Sequence, residues 1–203
     1  MHFKLKPLKN MKNLFLFSKR FIDLTLSIFL ILPVSILIII IYFFVKFTSR
    51  GPFIHWSKRI GKDNYIFNMP KIRTMSCNTP QKATHLLNNP SQYMTNVGTL
   101  LRKSSLDELP QLFLILKGDM SIVGPRPALF NQYDLIKLRK KNGIHKLKPG
   151  LTGWAQVKGR DNLSIEQKVQ MDLFYLKNQS IYLDLKIIIF SFFIIFKKDI
   201  ISH

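Results

Sequence analysis

The chain is poor in cysteine and in acidic residues. Cys77 is its one cysteine, so no disulfide can form within the chain, which is consistent with a reducing compartment. The 203 residues include 11 Asp and Glu against 31 Lys and Arg, a formal net charge of +20. This excess indicates an anionic partner, for which nucleic acid, anionic lipid and phosphorylated substrates are the candidates.

Several sequence signatures are also missing. There is no helix-turn-helix, zinc-binding or RNA-binding motif, so no nucleic-acid partner is expected, although the charge by itself would suit a membrane-tethered nucleic-acid binder. There is no internal repeat and no low-complexity linker, so residues 50–203 are predicted to form one domain. Apolar residues make up 47% of the chain, which excludes disorder by composition.

The longest uncharged segment runs from Leu24 to Val45. As a straight helix its 22 residues would extend roughly 33 Å, about the thickness of a bilayer core. A cleaved signal peptide is a poor interpretation, because the run is long and no small-residue cleavage site follows it. The segment therefore predicts insertion into a membrane.

Two topologies are open for this segment. Basic residues precede it in residues 1–20 and follow it in residues 46–62, and cationic flanks prefer the cytoplasm. A straight span would place one flank outside, whereas a re-entrant hairpin would keep both inside. Pro33 lies near the middle of the run and favours a bend there.

The remaining pattern is mixed. Residues 52–56 and 64–68 alternate as short strands, with Gly61 in the turn between them. Helical spacing covers 109–117, 128–141 and 164–177, and Ser164 with Gln167 forms a predicted capping box. The ten apolar residues at 187–196 predict either a core helix or an interfacial helix.

Two adjacent carboxylates, Asp107 and Glu108, stand out in a chain with so few acids. Phosphoryl transfer needs a carboxylate that can attack phosphorus, a second group that can hold Mg²⁺, and cations that neutralise phosphate oxygens. Cations surround the pair in the sequence: Arg102, Lys103, Lys117 and Arg126. The structural alternative is helix capping, because Ser105 and Glu108 also have capping-box spacing.

Two later segments could bind phosphate. Arg126 lies between Pro125 and Pro127, which stiffen its backbone, although a rigid turn with a solvated Arg explains the pattern equally well. The segment from Lys148 to Arg160 contains three glycines, whose backbone amides can approach an anion. A glycine-rich surface loop is the alternative there.

Taken together, these segments resemble the bacterial sugar transferases, the small monotopic phosphoglycosyl transferases. The resemblance extends from Lys19 to about Lys197 and rests on blocks that occur in order. The blocks are Lys19-Arg20-x-x-Asp23, Lys71-Ile72-Arg73-Thr74-Met75, Leu101–Leu112, Gly118–Pro127, Pro149–Val157 and Leu183-Asp184-Leu185-Lys186.

The resemblance implies transfer of a sugar 1-phosphate from a UDP-sugar to a polyprenyl phosphate such as undecaprenyl phosphate, with release of UMP and with Mg²⁺. This is an initiating step of surface glycan synthesis, at the cytoplasmic face of the bacterial inner membrane among its lipids. A homodimer is left open. The resemblance also implies an α+β, mainly helical fold that contains a short β-hairpin and interfacial amphipathic helices.

The family's roles carry over to matching positions. Asp107 is the expected nucleophile, forming a phosphosugar-enzyme intermediate, and Glu108 is expected to assist it and to contact the metal. The expected phosphate-binding residues are Lys71, Arg102, Arg126 and Arg160. The residues expected to give support are Gln156 and Asp172. The expected divisions are a basic segment at 1–20, a re-entrant hairpin at 21–47 broken near Pro33, and a catalytic domain at 48–203.

Some positions depart from the family's pattern. Asn89-Pro90-Ser91 replaces Asp-Pro-Arg, Lys148 replaces an arginine, Lys158 replaces an asparagine, and Leu32 precedes the proline where serine is common. None of these changes removes a proposed catalytic group. They motivate a second hypothesis, a non-catalytic membrane scaffold that binds lipid phosphate.

Overall fold

The computed structural model describes residues 6–79, 89–159 and 162–196. This part of the chain is mainly helical, as expected, and it includes two small two-stranded sheets. The α-helices are α1 (Lys6–Thr48), α2 (Asn96–Lys103), α3 (Leu112–Lys117), α4 (Tyr133–Lys141), α5 (Trp154–Lys158), α6 (Ile165–Lys177) and α7 (Ile181–Phe196). The strands are β1 (Ile54–Ile60), β2 (Ile66–Ile72), β3 (Ser121–Val123) and β4 (Gly150–Thr152).

Helix α1 has one side packed against the rest of the protein and one side exposed. Asp23, Ser27, Ile41 and Val45 are buried, and their spacing follows a single helix face. The part from residue 13 to residue 48 is long and apolar enough to cross a membrane, with a mean hydropathy of 3.1 over its most apolar window. The exposed apolar side therefore points to a membrane protein.

The helix continues without interruption through Pro33. The predicted break at this proline is therefore not present as a change of secondary structure. Proline removes one backbone donor but leaves the flanking hydrogen bonds able to continue the helix. The re-entrant path of the segment stays a prediction.

Strands β1 and β2 form the predicted antiparallel hairpin, with Ile54 opposite Ile72 and Ile60 opposite Ile66. Both strands reach further along the chain than expected, and the connection lies at residues 61–65. The first predicted strand begins two residues too early, because Pro52 and Phe53 precede the ladder. This register places His55 directly opposite Lys71.

A 3-10 helix, Leu106–Gln111, leads directly into α3, and helix α1 lies antiparallel to both. Near its start, α1 contacts the C-terminal end of α3, where Arg20 donates to the carbonyls of Ile115 at 2.6 Å and Leu116 at 2.8 Å. Near its end, Ile41 and Val45 pack in the cluster that also includes residues of the 3-10 helix. The apolar segment therefore lies alongside the element that carries the carboxylate pair.

The second half of the chain adds a sheet that the sequence did not predict. Strands β3 and β4 are parallel, three residues each, which is too short for a periodic pattern. Helix α4 begins at Tyr133 rather than at residue 128, because residues 128–130 pair with strand β1, where the Ala128 carbonyl accepts from the Ile60 amide at 2.9 Å. The capping box at Ser164 and Gln167 is confirmed at the start of α6.

Helix α7 combines the two alternatives predicted for its apolar run. Leu183 and Ile187 are buried in a core cluster, whereas Ile189, Phe192 and Phe193 are exposed. A buried polar cluster joins this helix to α1. Asp184 accepts from Lys19 at 2.7 Å and from the Tyr175 hydroxyl at 2.7 Å.

We expect Asp184→Asn to lower the free energy of unfolding by about 2 kcal/mol, because the half-buried Lys19 loses its counter-charge. The loss stays below the full cost of breaking a buried pair, since burial raises the pKa of Asp184 and makes its charged form less stable. Asp63→Asn is the matched control, because Asp63 pairs with Lys62 in solvent at 3.9 Å. Thermal unfolding in detergent measures the stability of both variants. Equal stability of Asp184→Asn and Asp63→Asn would contradict the prediction.

Candidate active site

The carboxylate pair lies where the chain turns into the 3-10 helix. Ser105 has a left-handed backbone conformation (φ 58°, ψ 17°), and its side chain makes no capping bond to the helix. The capping-box alternative for Ser105 and Glu108 is therefore wrong, because the turn places Ser105 outside the capping geometry. Leu106 and Leu109 pack against the cluster below α1. Asp107 and Glu108 are themselves 7% and 8% exposed.

Glu108 is held between two cations from different elements. Lys71 Nζ of strand β2 lies 2.6 Å from Glu108 Oε1, and Arg126 Nη2 lies 2.8 Å from the same oxygen. Lys71 Nζ also lies 3.9 Å from Asp107 Oδ2. Lys71 is thus shared by both carboxylates and fixes their position relative to the hairpin.

The two carboxylates have opposite electrostatic environments. Burial alone would raise the pKa of Glu108, but the adjacent Arg126 and Lys71 outweigh it and hold the pKa well below its usual range. Burial raises the pKa of Asp107, and the attraction of Lys71 only partly offsets it. Glu108 is therefore the better stabilised anion, whereas Asp107 is the more basic carboxylate of the two and the candidate nucleophile.

Arg102 is a third cation whose charge acts on the carboxylate pair. It is in the last turn of α2, and its Nε donates to Thr74 Oγ1 at 2.9 Å. Its positive charge acts on Asp107, as do those of Lys71 and Arg126. The structure thus brings together three of the four predicted phosphate-binding cations; the fourth, Arg160, lies outside the described residues.

Arg126 is positioned by two further arginines. Arg139 Nη1 of α4 donates to the Arg126 carbonyl at 2.8 Å, and Arg59 Nη1 of β1 donates to the Pro127 carbonyl at 3.2 Å. Asp172 of α6 is buried and accepts from Arg139 Nε at 3.0 Å and Nη2 at 2.6 Å. Asp172 therefore supports the site through Arg139 and does not itself reach the carboxylates.

Gln156, the other predicted supporting residue, braces a different part of the chain. Its Nε2 donates to the Leu151 carbonyl at 3.1 Å, which ties α5 to β4. Trp154, on the same helix, stacks on Phe174 with ring centres 5.3 Å apart. Neither contact involves the carboxylate pair, so Gln156 acts on the fold of this segment.

Three residues of strand β1 near the carboxylates were not predicted from the sequence. His55, Ser57 and Arg59 alternate along the strand and therefore share the face of the hairpin that carries Lys71. Burial, then the charges of Arg59 and Lys71, lower the pKa of His55. Burial and the neighbouring Arg126 lower the pKa of Arg59 to about 10. The alternation of polar residues at 55, 57 and 59 was the signal that could have identified them.

The carboxylates can also hold a metal ion. No three His, Cys, Asp or Glu side chains gather into a complete metal site among the described residues. Magnesium commonly needs only one or two protein carboxylates, with phosphate oxygens and water as the other ligands. Glu108 Oε1 accepts both cations, which leaves Oε2 and the adjacent Asp107 for such an ion. The pair therefore fits Mg²⁺, which stays a prediction.

The sequence matches the bacterial sugar transferase family over residues 14–198. It is 41% identical to an uncharacterised sugar transferase, EpsL, of Bacillus subtilis (strain 168), over 84% of this chain and 83% of the relative. It is 35% identical to the exopolysaccharide production protein ExoY of Sinorhizobium fredii (strain NBRC 101917 / NGR234), over 84% and 82%. The chain therefore belongs to the bacterial sugar transferase family, as its sequence blocks indicated.

Larger relatives have names that state a reaction. The chain is 38% identical to a UDP-glucose:undecaprenyl-phosphate glucose-1-phosphate transferase of Escherichia coli (strain K12), over 86% of this chain and 39% of that protein. This chain spans about two fifths of the length of such relatives. The matched part contains the carboxylates and the cations described above.

Arg139→Lys tests the support of Arg126. Lysine keeps the charge beside Asp172 but cannot also reach the Arg126 carbonyl, so Arg126 loses its fixed position. We expect sugar-phosphate transfer to fall about 10- to 100-fold, since a displacement of about 1 Å has that effect on catalysis. The melting temperature should change little, because the ion pair is retained.

Lys140→Gln is the control for Arg139→Lys, because Lys140 is an exposed cation on the same helix. It should retain full turnover. Turnover by Arg139→Lys at the level of the unsubstituted protein, with an unchanged melting temperature, would show that the Arg126 carbonyl needs no such support.

Proposed function

We propose that the protein transfers a sugar 1-phosphate from a UDP-sugar to a polyprenyl phosphate, releasing UMP, through a covalent intermediate on Asp107. The observation that carries the proposal is the buried carboxylate pair, in which Glu108 is neutralised by Lys71 and Arg126 while Asp107 remains the more basic group. The names of the larger relatives support the choice of donor and acceptor classes. Such a step would initiate the synthesis of a surface glycan.

In the first step, a carboxylate oxygen of Asp107 attacks the phosphorus that bears the sugar. A new oxygen–phosphorus bond forms, the bond to the UMP oxygen breaks, and UMP leaves with that electron pair. Lys71, Arg102 and Arg126 neutralise the phosphate oxygens, which would otherwise repel an anionic nucleophile. Asp107 needs no proton transfer for this step.

In the second step, a phosphate oxygen of the polyprenyl phosphate attacks the same phosphorus. The bond to Asp107 breaks, the carboxylate is restored, and a polyprenyl diphosphate sugar is released. Mg²⁺ bound by Glu108 would supply additional positive charge to the phosphate oxygens in both steps. Glu108 itself holds Lys71 and Arg126 in place through its Oε1 atom.

The acceptor explains why the site lies beside an apolar helix. Its phosphate lies at the level of the lipid headgroups, and α1 runs alongside the 3-10 helix that carries Asp107. We infer that the catalytic part lies on the cytoplasmic face of the inner membrane, where the nucleotide sugar is available. The basic flanks of α1 support this orientation.

A non-catalytic scaffold is the alternative function, motivated by the altered residues Lys148 and Lys158. A scaffold that binds lipid phosphate would need the cations, and Glu108 to hold Lys71 and Arg126 together, but it has no use for a second buried carboxylate, Asp107. Burying a carboxylate without a function costs stability. Release of UMP from a UDP-sugar by the purified protein would separate the two functions.

Asp107→Asn should abolish turnover, since the amide cannot attack phosphorus. Intact-protein mass spectrometry, after incubation with a panel of UDP-sugars, should detect a sugar-phosphate adduct on the unsubstituted protein and none on the variant. Asp119→Asn is the control, because Asp119 pairs with Lys117 at 2.9 Å outside the cleft. A variant at position 107 that releases UMP at a normal rate would refute the assigned nucleophile.

Glu108→Gln should impair transfer at least 100-fold, because Lys71 and Arg126 lose the charge that holds them. Raising the Mg²⁺ concentration should not restore the rate. The measurement is the initial rate of UMP release across a magnesium titration. Complete rescue by the metal would mean that Glu108 only tunes metal affinity.

His55→Gln should raise the KM for the UDP-sugar about tenfold with little change in kcat, if the imidazole donates to a phosphate oxygen. His55 shares its face of the hairpin with Lys71, and the nearby charges act on both. Lys58→Gln is the matched control, because Lys58 lies on the opposite face of the same strand. An equal rise in KM for both variants would indicate a long-range charge effect.

A further inference from the structure

A second basic cluster lies at the far end of α3 from the carboxylate pair. Its members come from three segments: Arg20 at the start of the apolar part of α1, Lys62 in the hairpin connection, and Lys148 before β4. A methyl group built on Gly118 would stand 3.5 Å from Arg20 Nη2 and 3.6 Å from Lys148 Nζ. The two cations therefore face the same small space above the last turn of α3.

Lys148 is the cation of this cluster whose ammonium group has no direct partner among the described residues. It forms no ion pair or hydrogen bond with any residue that the structure describes. Burial, then the charge of Arg20, lowers the pKa of Lys148, and Lys62 acts in the same direction. Two nearby acids act in the opposite direction without contacting Lys148: Asp119, which pairs with Lys117, and Asp23, whose Oδ1 accepts from the Ile122 amide at 3.0 Å.

The cluster lies beside the apolar surface of α1. Phe17 and Phe21 flank Arg20 on this helix and are 73% and 64% exposed. Cations next to exposed apolar side chains are the arrangement that meets a lipid headgroup, because the acyl chains cover the apolar part while the phosphate meets the cations.

The cluster is separate from the candidate active site. The 3-10 helix and α3 have six residues each, so in line they extend about 21 Å at rises of about 2.0 and 1.5 Å per residue, with the carboxylate pair near one end and Gly118 just past the other. A lipid phosphate bound beside Gly118 therefore cannot be the acceptor phosphate that reaches Asp107. This distance favours a phospholipid over the polyprenyl substrate as the occupant.

We propose that Lys148, Arg20 and Lys62 bind the phosphate of an anionic phospholipid at the membrane boundary, apart from the transfer site. The bound lipid fixes the first part of α1 against the C-terminal end of α3. The proposal rests on the membrane location of α1 and is independent of the transfer chemistry.

The test uses the full chain in detergent with added dioleoyl phosphatidylglycerol, and native mass spectrometry measures the bound lipid. The unsubstituted protein should retain one molecule of this lipid in preference to dioleoyl phosphatidylcholine. Lys148→Gln should weaken its binding about fivefold, the effect of one cation near the surface. Lys141→Gln, an exposed cation on α4, is the matched control and should bind as the unsubstituted protein does.

Two further measurements make the outcome decisive. Lys148→Gln should keep its melting temperature and should still form the adduct on Asp107, so loss of lipid would not reflect misfolding or a failure of the transfer chemistry. Equal binding by Lys148→Gln and the unsubstituted protein would overturn the proposal. The proposal would also be overturned if Lys148→Gln weakened the binding of a short-chain polyprenyl phosphate but not that of phosphatidylglycerol. The cluster would then bind the acceptor.

Discussion

The buried charge of Glu108 is the constraint on which the candidate site depends. A carboxylate that is only 8% exposed needs compensation, and one of its oxygens receives both Lys71 and Arg126. These cations come from strand β2 and from the segment after β3, so the interaction fixes the hairpin, the 3-10 helix and the Arg126 segment relative to one another. The same cations would repel each other without Glu108. Their convergence forms the proposed phosphate-binding cleft, in which Asp107 is left as the more basic carboxylate.

The support of this cleft extends well beyond the groups that would touch a substrate. Arg139 and Arg59 hold two consecutive carbonyls of the Arg126 segment, and Asp172 holds Arg139 in turn. Helices α4 and α6 thereby hold the backbone of Arg126 in place, although Arg126 belongs to neither helix. On the membrane side, α1 packs along the 3-10 helix and α3, and Lys19 with Arg20 attach its first part to α7 and α3. The apolar helix is thus part of the scaffold of the cleft as well as the membrane element.

The sequence predicted long or strongly patterned features well and short ones poorly. The apolar helix, the hairpin and the capping box of α6 were predicted because each has many residues or a specific cap. The β3–β4 pair was missed, since three-residue strands leave no periodicity to read. The capping role of Ser105 was wrong because spacing does not reveal a left-handed turn. Among the site residues, both carboxylates, Arg102 and Arg126 were named from the sequence pattern and Lys71 from the family resemblance, whereas His55, Arg59 and Arg139 were not named.

The sequence by itself determined the apolar helix, the excess of positive charge, the family and the adjacent acids, because each is a property of composition or of local order. The tertiary structure decided the different characters of the two carboxylates. Asp107 and Glu108 are neighbours in the chain and both are carboxylates, but Lys71 and Arg126 lie within hydrogen-bonding distance of Glu108, whereas Lys71 is 3.9 Å from Asp107. It also decided that Lys148 lies beside Arg20, 128 positions away in the chain. Such electrostatic effects depend on distance in space and on burial, and the order of the residues alone specifies neither quantity.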